Sequence, residues 1–392
     1  MTPDPRTPTT PRTMWEASHI RWAQMHTREL LPSARVSRGE TATALPRRPR
    51  DLAGLRFEHA GREWTLAAAM AETDVDGWMV LHDGAIVFEH YAGAMTAETR
   101  HLCQSVSKSM TSALAGALVE AGRFSIDALV TDYVGELAAT VWDGCTLQHV
   151  LDMTAGVSFD ESDYDDMESE AWRGFRVCGW LERLPDDPMP ADYIAGLRRQ
   201  AEHGAEFEYR SICTEVLGWC LERATGKPLA ELFSEHIWRP LGAAHEGDFI
   251  VGPGGFPLAD GGFCVTLHDL ALFGLLFLQE GEIDGRRVLP RDRVRRLRTT
   301  DPGLVTLFAA VYPPDADAGT DAYDRSFYHD QWWIRDAEAG IYCGYGIYGQ
   351  AVLIHHPSTS VVARFSTWPT ADDTKKLALS DAAALAVCDA IG

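Results

Sequence analysis

The clearest pattern at the start of the folded chain is a pair of strand-like segments followed by a run of small apolar residues. Residues 78–91 predict two β-strands joined by Asp83-Gly84, a dipeptide typical of tight hairpin turns. The run from Met110 to Val119 is small and apolar and ends near Gly122, which predicts a buried helix with a glycine stop. We therefore expect a β-hairpin, followed along the chain by a buried helix.

The rest of the chain predicts a mainly helical region and then a return to strands. Residues 147–241 have mainly helical periodicity with long polar loops, and strand patterns return only after Asp330. The predicted late elements are strands at 330–335, 344–355 and 360–366 and a helix over 377–391. Antiparallel strands closed by this terminal helix, lying on the sheet beside the opening helix, are the natural arrangement. The pattern predicts an α/β (α+β) fold, an antiparallel sheet flanked by helices with a mainly helical domain inserted.

This pattern also predicts a domain layout. Residues 1–20 are rich in Pro, Thr and Arg and are expected to form a flexible N-terminus. Residues 21–150 and 255–392 are expected to form the sheet domain, and residues 151–254 the mainly helical domain. The active site is expected between the two domains.

Composition narrows the possible functions. The net charge of −22 argues against nucleic acid as a partner, because phosphates require a basic surface. The eight cysteines show no Cys-x-x-Cys spacing and are expected to be reduced core residues. An apolar signal segment and a run of about 18 apolar residues are both missing from the pattern, so a cytoplasmic location and no membrane partner are expected. The dispersed histidines predict no metal and no cofactor. A monomer or homodimer is expected.

The best chemical lead is a Ser-x-x-Lys pair formed by Ser105 and Lys108 at the start of the predicted helix. Residues i and i+3 share one helix face, so the hydroxyl and the amine are expected to lie side by side. A lysine can act as the base for a serine nucleophile if burial lowers its pKa. Ser105 would also lie near the helix N-terminus, where backbone N–H groups favour a developing anion.

Several further segments, in the same order and spacing, resemble the serine beta-lactamase and penicillin-recognising superfamily, and especially its esterase and class C beta-lactamase branch. Within it the chain is most similar to the 6-aminohexanoate-dimer hydrolases, which cleave linear nylon-oligomer amides. The resemblance covers most of the chain and implies a beta-lactamase-like fold. The segments that carry it are 21–22, 32–38, 105–109, 146–156, 207–211, 216–228, 239–242, 260–271, 331–333, 346–350 and 366–369.

The resemblance implies a mechanism. Ser105 would attack a carbonyl to form an acyl-enzyme, while Lys108 and Tyr209 would handle the proton. A nearby ammonium is expected to lower the pKa of Tyr209, so that it serves as base and then as acid. The oxyanion hole is assigned to the N–H groups of Ser105 and Ile347.

The resemblance also implies a set of substrate-binding residues: Tyr164, Ser211, Asp260, Trp333, Tyr348, Gly349 and Gln350. Two of them depart from the relatives. Tyr348 stands where the nylon-oligomer enzymes have histidine, which affects substrate choice more than chemistry. Asp260 stands where the relatives have asparagine; a carboxylate there would bind a cationic amine or make acidic substrates less well tolerated, or else Asp260 is a turn residue before Gly261-Gly262.

Three functions follow from this reading. The first is a serine hydrolase of short linear amides or esters, with a small-molecule substrate and no cofactor. The second is a transacylase that passes the acyl group to an amine or alcohol acceptor. The third is a ligand-binding homologue without catalysis, which the intact Ser105, Lys108 and Tyr209 disfavour. Beta-lactam resistance is disfavoured because the family's third motif, here Tyr348-Gly349-Gln350, lacks a cationic residue for the beta-lactam carboxylate.

Overall fold

The computed structural model describes residues 8–164, 166, 168–313 and 325–392. The strands of this part are β1 (Ser33–Val36), β2 (Arg56–His59), β3 (Arg62–Thr65), β4 (Val75–His82), β5 (Ala85–Tyr91), β6 (His101–Leu102), β7 (Gly247–Ile250), β8 (Phe263–Val265), β9 (Glu282–Ile283), β10 (Arg286–Arg287), β11 (Phe327–His329), β12 (Trp332–Asp336), β13 (Ile341–Gly346), β14 (Gln350–His355) and β15 (Ser360–Ser366). The helices are α1 (Ile20–Met25), α2 (Thr27–Leu30), α3 (Leu66–Glu72), α4 (Val106–Glu120), α5 (Val130–Tyr133), α6 (Leu147–Leu151), α7 (Glu170–Cys178), α8 (Pro190–Ala195), α9 (Ser211–Thr225), α10 (Leu229–Phe233), α11 (Arg239–Leu241), α12 (Leu267–Leu278), α13 (Arg291–Arg296), α14 (Pro302–Val311) and α15 (Thr374–Ile391). Single turns of 3₁₀ helix lie at Gly135–Leu137, Pro253–Gly255 and Ile347–Gly349, and a π-helical turn at Ser234–Trp238.

The central sheet has seven antiparallel strands in the order β11-β12-β13-β14-β15-β4-β5. Its inner strands are apolar on both faces because helices cover both. Val361 and Ala363 of β15 belong to the core that contains α12, whereas Val362 between them packs with α3 and α15. This alternation is the two-residue period of a strand buried on both sides.

Several predicted elements are confirmed. Strands β4 and β5 form the expected hairpin, and both Asp83 and Gly84 have positive φ angles, 47° and 70°, as this kind of tight turn requires. Strand β15 has the predicted bounds. Helix α15 closes the chain and packs beside α3, with buried residues at Leu379, Ala383 and Val387. All eight cysteines are buried and free of disulfides.

Two strand predictions are wrong. The segment 344–355 is not one strand, because the chain turns at 347–349 and continues as β14, paired antiparallel to β13. Strands also occur well before Asp330: β7 and β8 join β1 and β6 in a separate four-stranded sheet. These strands are two to four residues long. Segments this short contain too few residues to display a period of two.

Helix α4 lies between the central sheet and α9, and for this reason it is buried almost all round. It packs against β13 and β14 on one side and against α9 on the other. Its small residues, including Ala113, Ala115 and Gly116, allow these close approaches. Helices α5 and α6 pack on α9 from outside. The first turn of α4 is thereby held at the junction of sheet and helices.

The turn between β11 and β12 joins the sheet to these helices. The backbone N–H of Gln331 donates to the Leu151 carbonyl at the end of α6, at 3.0 Å. The Gln331 side chain donates to the Val150 carbonyl and accepts from the Thr214 hydroxyl of α9, at 3.0 and 2.7 Å. The Ser109 hydroxyl of α4 donates to the Gln331 carbonyl at 2.8 Å. One residue therefore fixes three helices relative to the sheet.

The predicted flexible N-terminus is wrong for the residues that can be described. Residues 1–7 lie outside the described part of the chain. Beyond them, Met14 and Trp15 are only 1% and 9% exposed, so this segment belongs to the folded body. Two apolar residues among prolines and threonines were enough to anchor it.

The predicted division into 21–150 with 255–392 and 151–254 stays a prediction. Strand β7 lies within 151–254 but pairs with β1 and β8, which lie outside that range. Among the helices of the described residues, none combines the length and apolarity needed to cross a membrane.

Candidate active site

Ser105 lies at the N-terminus of α4, at the exit of a sharp turn. Strand β6 ends at Leu102, and Gln104 has a positive φ angle of 50°, which is uncommon for a residue other than glycine. This conformation turns the chain directly from β6 into α4. Ser105 is therefore the N-cap residue of α4, in agreement with the expected position near the helix N-terminus, where the helix dipole favours negative charge.

Lys108 lies one helical turn later and is 1% exposed. Its ammonium nitrogen, Nζ, lies 2.8 Å from Ser105 Oγ, 2.8 Å from Ser211 Oγ and 3.2 Å from the backbone oxygen of Asp260. A protonated lysine has three N–H donors, and here each meets one acceptor. The geometry therefore fits the ammonium form of Lys108.

The lowered pKa that a lysine base requires is not found at Lys108. Burial by itself lowers the pKa of Lys108, but the negative charges of Tyr209 (when ionised), Asp260 and Glu161 outweigh that effect and raise it. The acidic neighbours come from distant parts of the chain, so only the folded structure reveals them.

Tyr209 lies just before α9 and faces Lys108. Lys108 Nζ is 5.0 Å from the centre of the Tyr209 ring, and the ring stacks on Trp333 at 5.3 Å. Burial raises the pKa of Tyr209; the charge of Lys108 and hydrogen bonds with Ser105 and Lys108 oppose this without overcoming it. The expected lowering of this pKa is therefore also wrong, and the resting side chain is a neutral phenol.

Glu161 is a buried carboxylate that the sequence argument missed. It accepts hydrogen bonds from the backbone N–H and the hydroxyl of Ser211 and, at 2.6 Å, from the hydroxyl of Tyr164. Burial raises the pKa of Glu161. The charge of Lys108 and these hydrogen bonds reduce that increase without cancelling it. Ser211 thus connects Lys108 to Glu161. The available signal was the acidic run around residue 161, in which only Tyr164 was singled out.

The third motif lies at the turn between β13 and β14, next to Ser105. A Cβ atom at Gly346 would lie 2.7 Å from the Cys103 carbonyl oxygen and 3.0 Å from the Ser105 nitrogen, so this close approach requires glycine. Ile347 follows and lines the same pocket as Ser105. The two residues assigned to the oxyanion hole are therefore brought together; their role stays a prediction.

Gly349 and Gln350 do not line this pocket, contrary to the expectation that they bind substrate. Gln350 is fully buried, and its side-chain amide donates to the carbonyls of Ile347 and Ser366 at 3.1 and 2.8 Å. The Gly349 carbonyl accepts from the buried Arg364 guanidinium at 2.9 Å. These residues brace the turn from behind. The positions of Gly349 and Gln350 in the sequence could not show whether they support the turn or contact the substrate.

Tyr348 also departs from expectation. It is 3% exposed, has a positive φ angle of 61°, and its ring stacks on Trp15 at 6.0 Å. Trp15 itself lines the pocket. The Tyr348 ring is therefore placed behind a pocket wall.

Asp260 lines the pocket and has a buried acidic partner, Glu215 of α9. Its carboxylate accepts from the Trp180 indole N–H at 3.3 Å. Glu215 is 2% exposed, and burial, together with the charge of Asp260 and a hydrogen bond to it, raises the pKa of Glu215 well above its usual range. Two carboxyl groups can share a hydrogen bond only if one keeps its proton. Glu215 therefore keeps its proton to a higher pH than an ordinary glutamate.

The pocket as a whole joins the Ser/Lys centre to aromatic walls. Ser211 and Tyr164 line the pocket. Trp333 is not among the lining residues; its ring stacks on Tyr209, which faces Lys108. The lining residues that the sequence argument missed are Trp15, Gln104, Glu161, Trp172, Phe175, Trp180 and Gly261. Most come from segments read only as loops or helices, where a lone aromatic residue gives no functional signal.

One group of candidate metal ligands lies among the described residues, at Asp152, His329 and Asp330. Arg293 already forms an ion pair with Asp330 at 2.9 Å, and His329 lies between both carboxylates. Burial lowers the pKa of His329, but the two carboxylates outweigh it and raise the pKa. Arg293 and His329 therefore offset the negative charge of the two carboxylates. The cluster joins β11 to α6 and lies outside the lining of the Ser105 pocket.

Comparisons with known proteins agree with this geometry. The family model described as Beta-lactamase matches residues 65–386. The chain is 35% identical over 366 residues to the 6-aminohexanoate-dimer hydrolase of Paenarthrobacter ureafaciens, which covers 91% of this chain and 88% of that protein. It is also 28% identical to Esterase EstB of Burkholderia gladioli over 199 residues, 47% of this chain and 48% of that one.

Solved structures share the fold. A Bacillus anthracis protein named provisionally as a 6-aminohexanoate-dimer hydrolase superposes with a TM-score of 0.88 at 24% identity, over 100% of this chain and 98% of that one. EstCE1, named as a hydrolase with promiscuous acyltransferase activity, gives a TM-score of 0.60 at 18% identity, over 81% of this chain and 98% of that one. The predicted antiparallel sheet with flanking helices is thereby confirmed.

The Glu215–Asp260 pair makes a testable prediction about stability. The pKa of Glu215 is raised in the folded state, so its contribution to folding stability is fully present at pH values below the pKa of an unfolded glutamate. That contribution is lost as the pH rises through the folded-state pKa. In Glu215→Gln the amide donates to Asp260 without titrating. We therefore expect the Tm of Glu215→Gln, measured by calorimetry, to increase relative to the Tm of the wild type as the pH is raised from 5 to 9.

The matched control is Glu202→Gln, whose carboxylate is 86% exposed and should show no such trend. An identical pH dependence of Tm in the wild type and Glu215→Gln would contradict the shared proton.

Proposed function

We propose that this chain, which belongs to the beta-lactamase family, is a serine hydrolase that cleaves short linear amides or esters through an acyl-enzyme. The observation that carries this proposal is the 2.8 Å contact between Lys108 Nζ and Ser105 Oγ at a buried helix N-terminus. The opposite face of the same ammonium is held by Ser211 and the Asp260 carbonyl. A hydroxyl fixed in this way is oriented toward the pocket before substrate arrives.

In the first half of the reaction, Ser105 Oγ attacks the substrate carbonyl carbon and an ester bond to the enzyme forms. The carbonyl oxygen takes up negative charge, and the N–H groups of Ser105 and Ile347 are the donors proposed for it. The bond to the leaving amine or alcohol then breaks. In the second half, water attacks the ester carbon and releases the acid, and Ser105 regains its proton.

The proton is proposed to travel through Tyr209. The Lys108 ammonium has all three N–H groups engaged by acceptors, and an ammonium has no lone pair with which to accept a proton. The reactive form therefore has one proton fewer than the resting form, with Tyr209 ionised beside the Lys108 ammonium. The tyrosinate takes the proton of Ser105 and delivers it to the leaving group.

The pocket chemistry favours a linear substrate with an apolar chain or a cationic amine. Trp15, Trp172 and Trp180 supply aromatic faces, and Asp260 supplies a carboxylate. Aromatic faces bind both methylene groups and ammonium ions, and a nearby carboxylate adds attraction for the cation. The relative from Paenarthrobacter ureafaciens is named for such an amide.

The nucleophile is tested by Ser105→Ala. We expect this variant to lose at least about 10⁴-fold in kcat/KM for short-chain p-nitrophenyl esters, because no acyl-enzyme can form. Intact-mass spectrometry should show an acyl adduct on the wild type and none on the variant. Ser112→Ala is the matched control, since this serine lies on α4 outside the pocket lining and should keep both rate and adduct.

The same assay separates the alternatives when primary amines are added. Free acid as the main product supports a hydrolase. Amide product at millimolar amine would replace that proposal with a transacylase. Absence of any adduct on the folded wild type with esters and amides would instead favour a ligand-binding homologue, and turnover by folded Ser105→Ala would refute the assignment.

Lys108→Ala makes a second prediction. Removing the ammonium releases Ser105 Oγ and Ser211 Oγ and takes away the charge that favours the Tyr209 anion. We expect a loss of about 10³-fold or more in kcat/KM on a folded protein, as judged by circular dichroism. Lys227→Ala, at an exposed lysine, is the control and should change the rate by less than twofold. A folded Lys108→Ala protein with wild-type activity would rule out this role.

The proposed base makes a third prediction, about pH. Because the pKa of Tyr209 is raised, the ionised fraction grows with pH throughout the range below that pKa. We expect kcat/KM of the wild type to rise from pH 6 to pH 9, and Tyr209→Phe to lose about 10²-fold or more together with this rise. The phenylalanine ring preserves the stacking surface for Trp333. A variant with the same pH profile as the wild type would exclude Tyr209 as the base.

A further inference from the structure

Trp15 lies outside the region that the family model matches. The matched family region begins at residue 65, so Trp15 lies on an N-terminal arm, residues 8–31, outside it. The side chain nevertheless lines the pocket of Ser105. The arm therefore contributes part of the pocket wall that the matched region does not supply.

Contacts on several sides fix the Trp15 ring. It meets Trp172 and Trp180 edge-on, with ring centres 6.0 and 5.9 Å away, and its indole N–H donates to the Trp180 carbonyl at 3.3 Å. Its face stacks on Tyr348 at 6.0 Å and an interplanar angle of 19°. The ring bridges the third motif and the helical segment around α7.

The arm itself is anchored to the sheet. The Arg21 guanidinium lies 3.2 Å from the buried Asp76 carboxylate and donates to the Thr367 hydroxyl at 2.9 Å. Gln104, the residue before Ser105, donates from its side chain to the buried Gln24 of α1 at 3.4 Å. These contacts hold the arm next to the nucleophile in a defined position, as a pocket wall requires.

Tyr348 is explained by the same arrangement. A tyrosine with a positive φ angle of 61° is strained, and such strain persists only where the surroundings hold it. Here the strained conformation turns the ring onto Trp15 and leaves it 3% exposed. Tyr348 thus acts through Trp15 and is a positioning residue.

We propose that Trp15, held by Tyr348, is a specificity-determining residue that contacts the chain of the substrate beyond its reacting carbonyl. This rests on the proposed hydrolase function. A flat apolar ring in the pocket wall favours methylene chains that reach it and contributes nothing to substrates that end short of it. Each methylene buried against such a surface is worth a few-fold in affinity.

The experiment compares kcat/KM for p-nitrophenyl acetate and hexanoate, and for the matching anilides, in the wild type, Trp15→Ala and Trp22→Ala. Trp22 is the matched control, because it lies on the same arm, stacks on His26 and does not line the pocket. We expect the hexanoate-to-acetate ratio to fall about tenfold in Trp15→Ala and to stay within twofold in Trp22→Ala. A rise of similar size would show that the ring obstructs longer chains and would overturn the proposed favourable contact.

A ratio within threefold of the wild type in Trp15→Ala, for both esters and anilides, would overturn it. If Trp15→Ala does not fold, Trp15→Leu is used in its place with the same criteria. Tyr348→His should shift the ratio in the same direction without abolishing turnover, and Trp15→Ala/Tyr348→Ala should shift it no further than Trp15→Ala alone. Additive shifts would overturn the coupling between the two residues.

The two proposals fail in different ways. A wild type that turns over normally while Trp15→Ala keeps its ratio refutes only this inference. If no protein turns over, the proposed function fails, and the inference is then decided by thermal shifts with hexylamine and methylamine. A preference for hexylamine that is present in the wild type and Trp22→Ala and reduced in Trp15→Ala supports the role of Trp15, whereas equal shifts in all three proteins overturn it.

Discussion

The burial of one positive charge is the constraint on which the site depends. An ammonium that is 1% exposed is tolerated only if each of its donors meets an acceptor and negative charge lies nearby. Lys108 obtains these from separate parts of the chain: Ser105 on its own helix, Ser211 at the start of α9, the Asp260 carbonyl and the Glu161 carboxylate. Satisfying the charge therefore also brings together Ser105, Tyr209 and one wall of the pocket.

The three hydrogen-bond acceptors around Lys108 fit its ammonium form. For this reason the proposed mechanism assigns the acceptance of the Ser105 proton to another group. The Tyr209 ring, beside the ammonium, is the group in contact with both Ser105 and Lys108. A fixed cation then supplies electrostatic stabilisation to any anion formed at Ser105 or Tyr209, without having to lose its own proton first.

Two residues of the site each meet a partner from a distant part of the chain. Burial and the charge of Asp260 raise the pKa of Glu215, so Glu215 keeps its proton to a higher pH than an ordinary glutamate. The ring of Tyr348 stacks on Trp15 from the N-terminal arm. In both cases the partner lies far away along the chain.

The sequence by itself determined the elements that local rules govern. The Asp83-Gly84 turn, strand β15, helix α15 and the Ser-x-x-Lys pair at the start of α4 follow from turn chemistry, periodicity and helical spacing, all of which act between near neighbours. The resemblance to known relatives added Tyr209 and the third motif. Strands of two to four residues, such as β6 and β8, were not predicted because they are too short to show the two-residue period of a strand.

What only the tertiary structure decided is every property that depends on distant residues meeting. The pKa of Lys108 is raised by its acidic neighbours, and burial raises the pKa of Tyr209 despite the nearby ammonium, so both directions depend on groups that are distant in sequence. Gln350 and Tyr348 were expected to contact substrate and instead brace the turn and Trp15. Electrostatic interactions and packing act through space, and the separation of residues along the chain does not reveal which of them will be close.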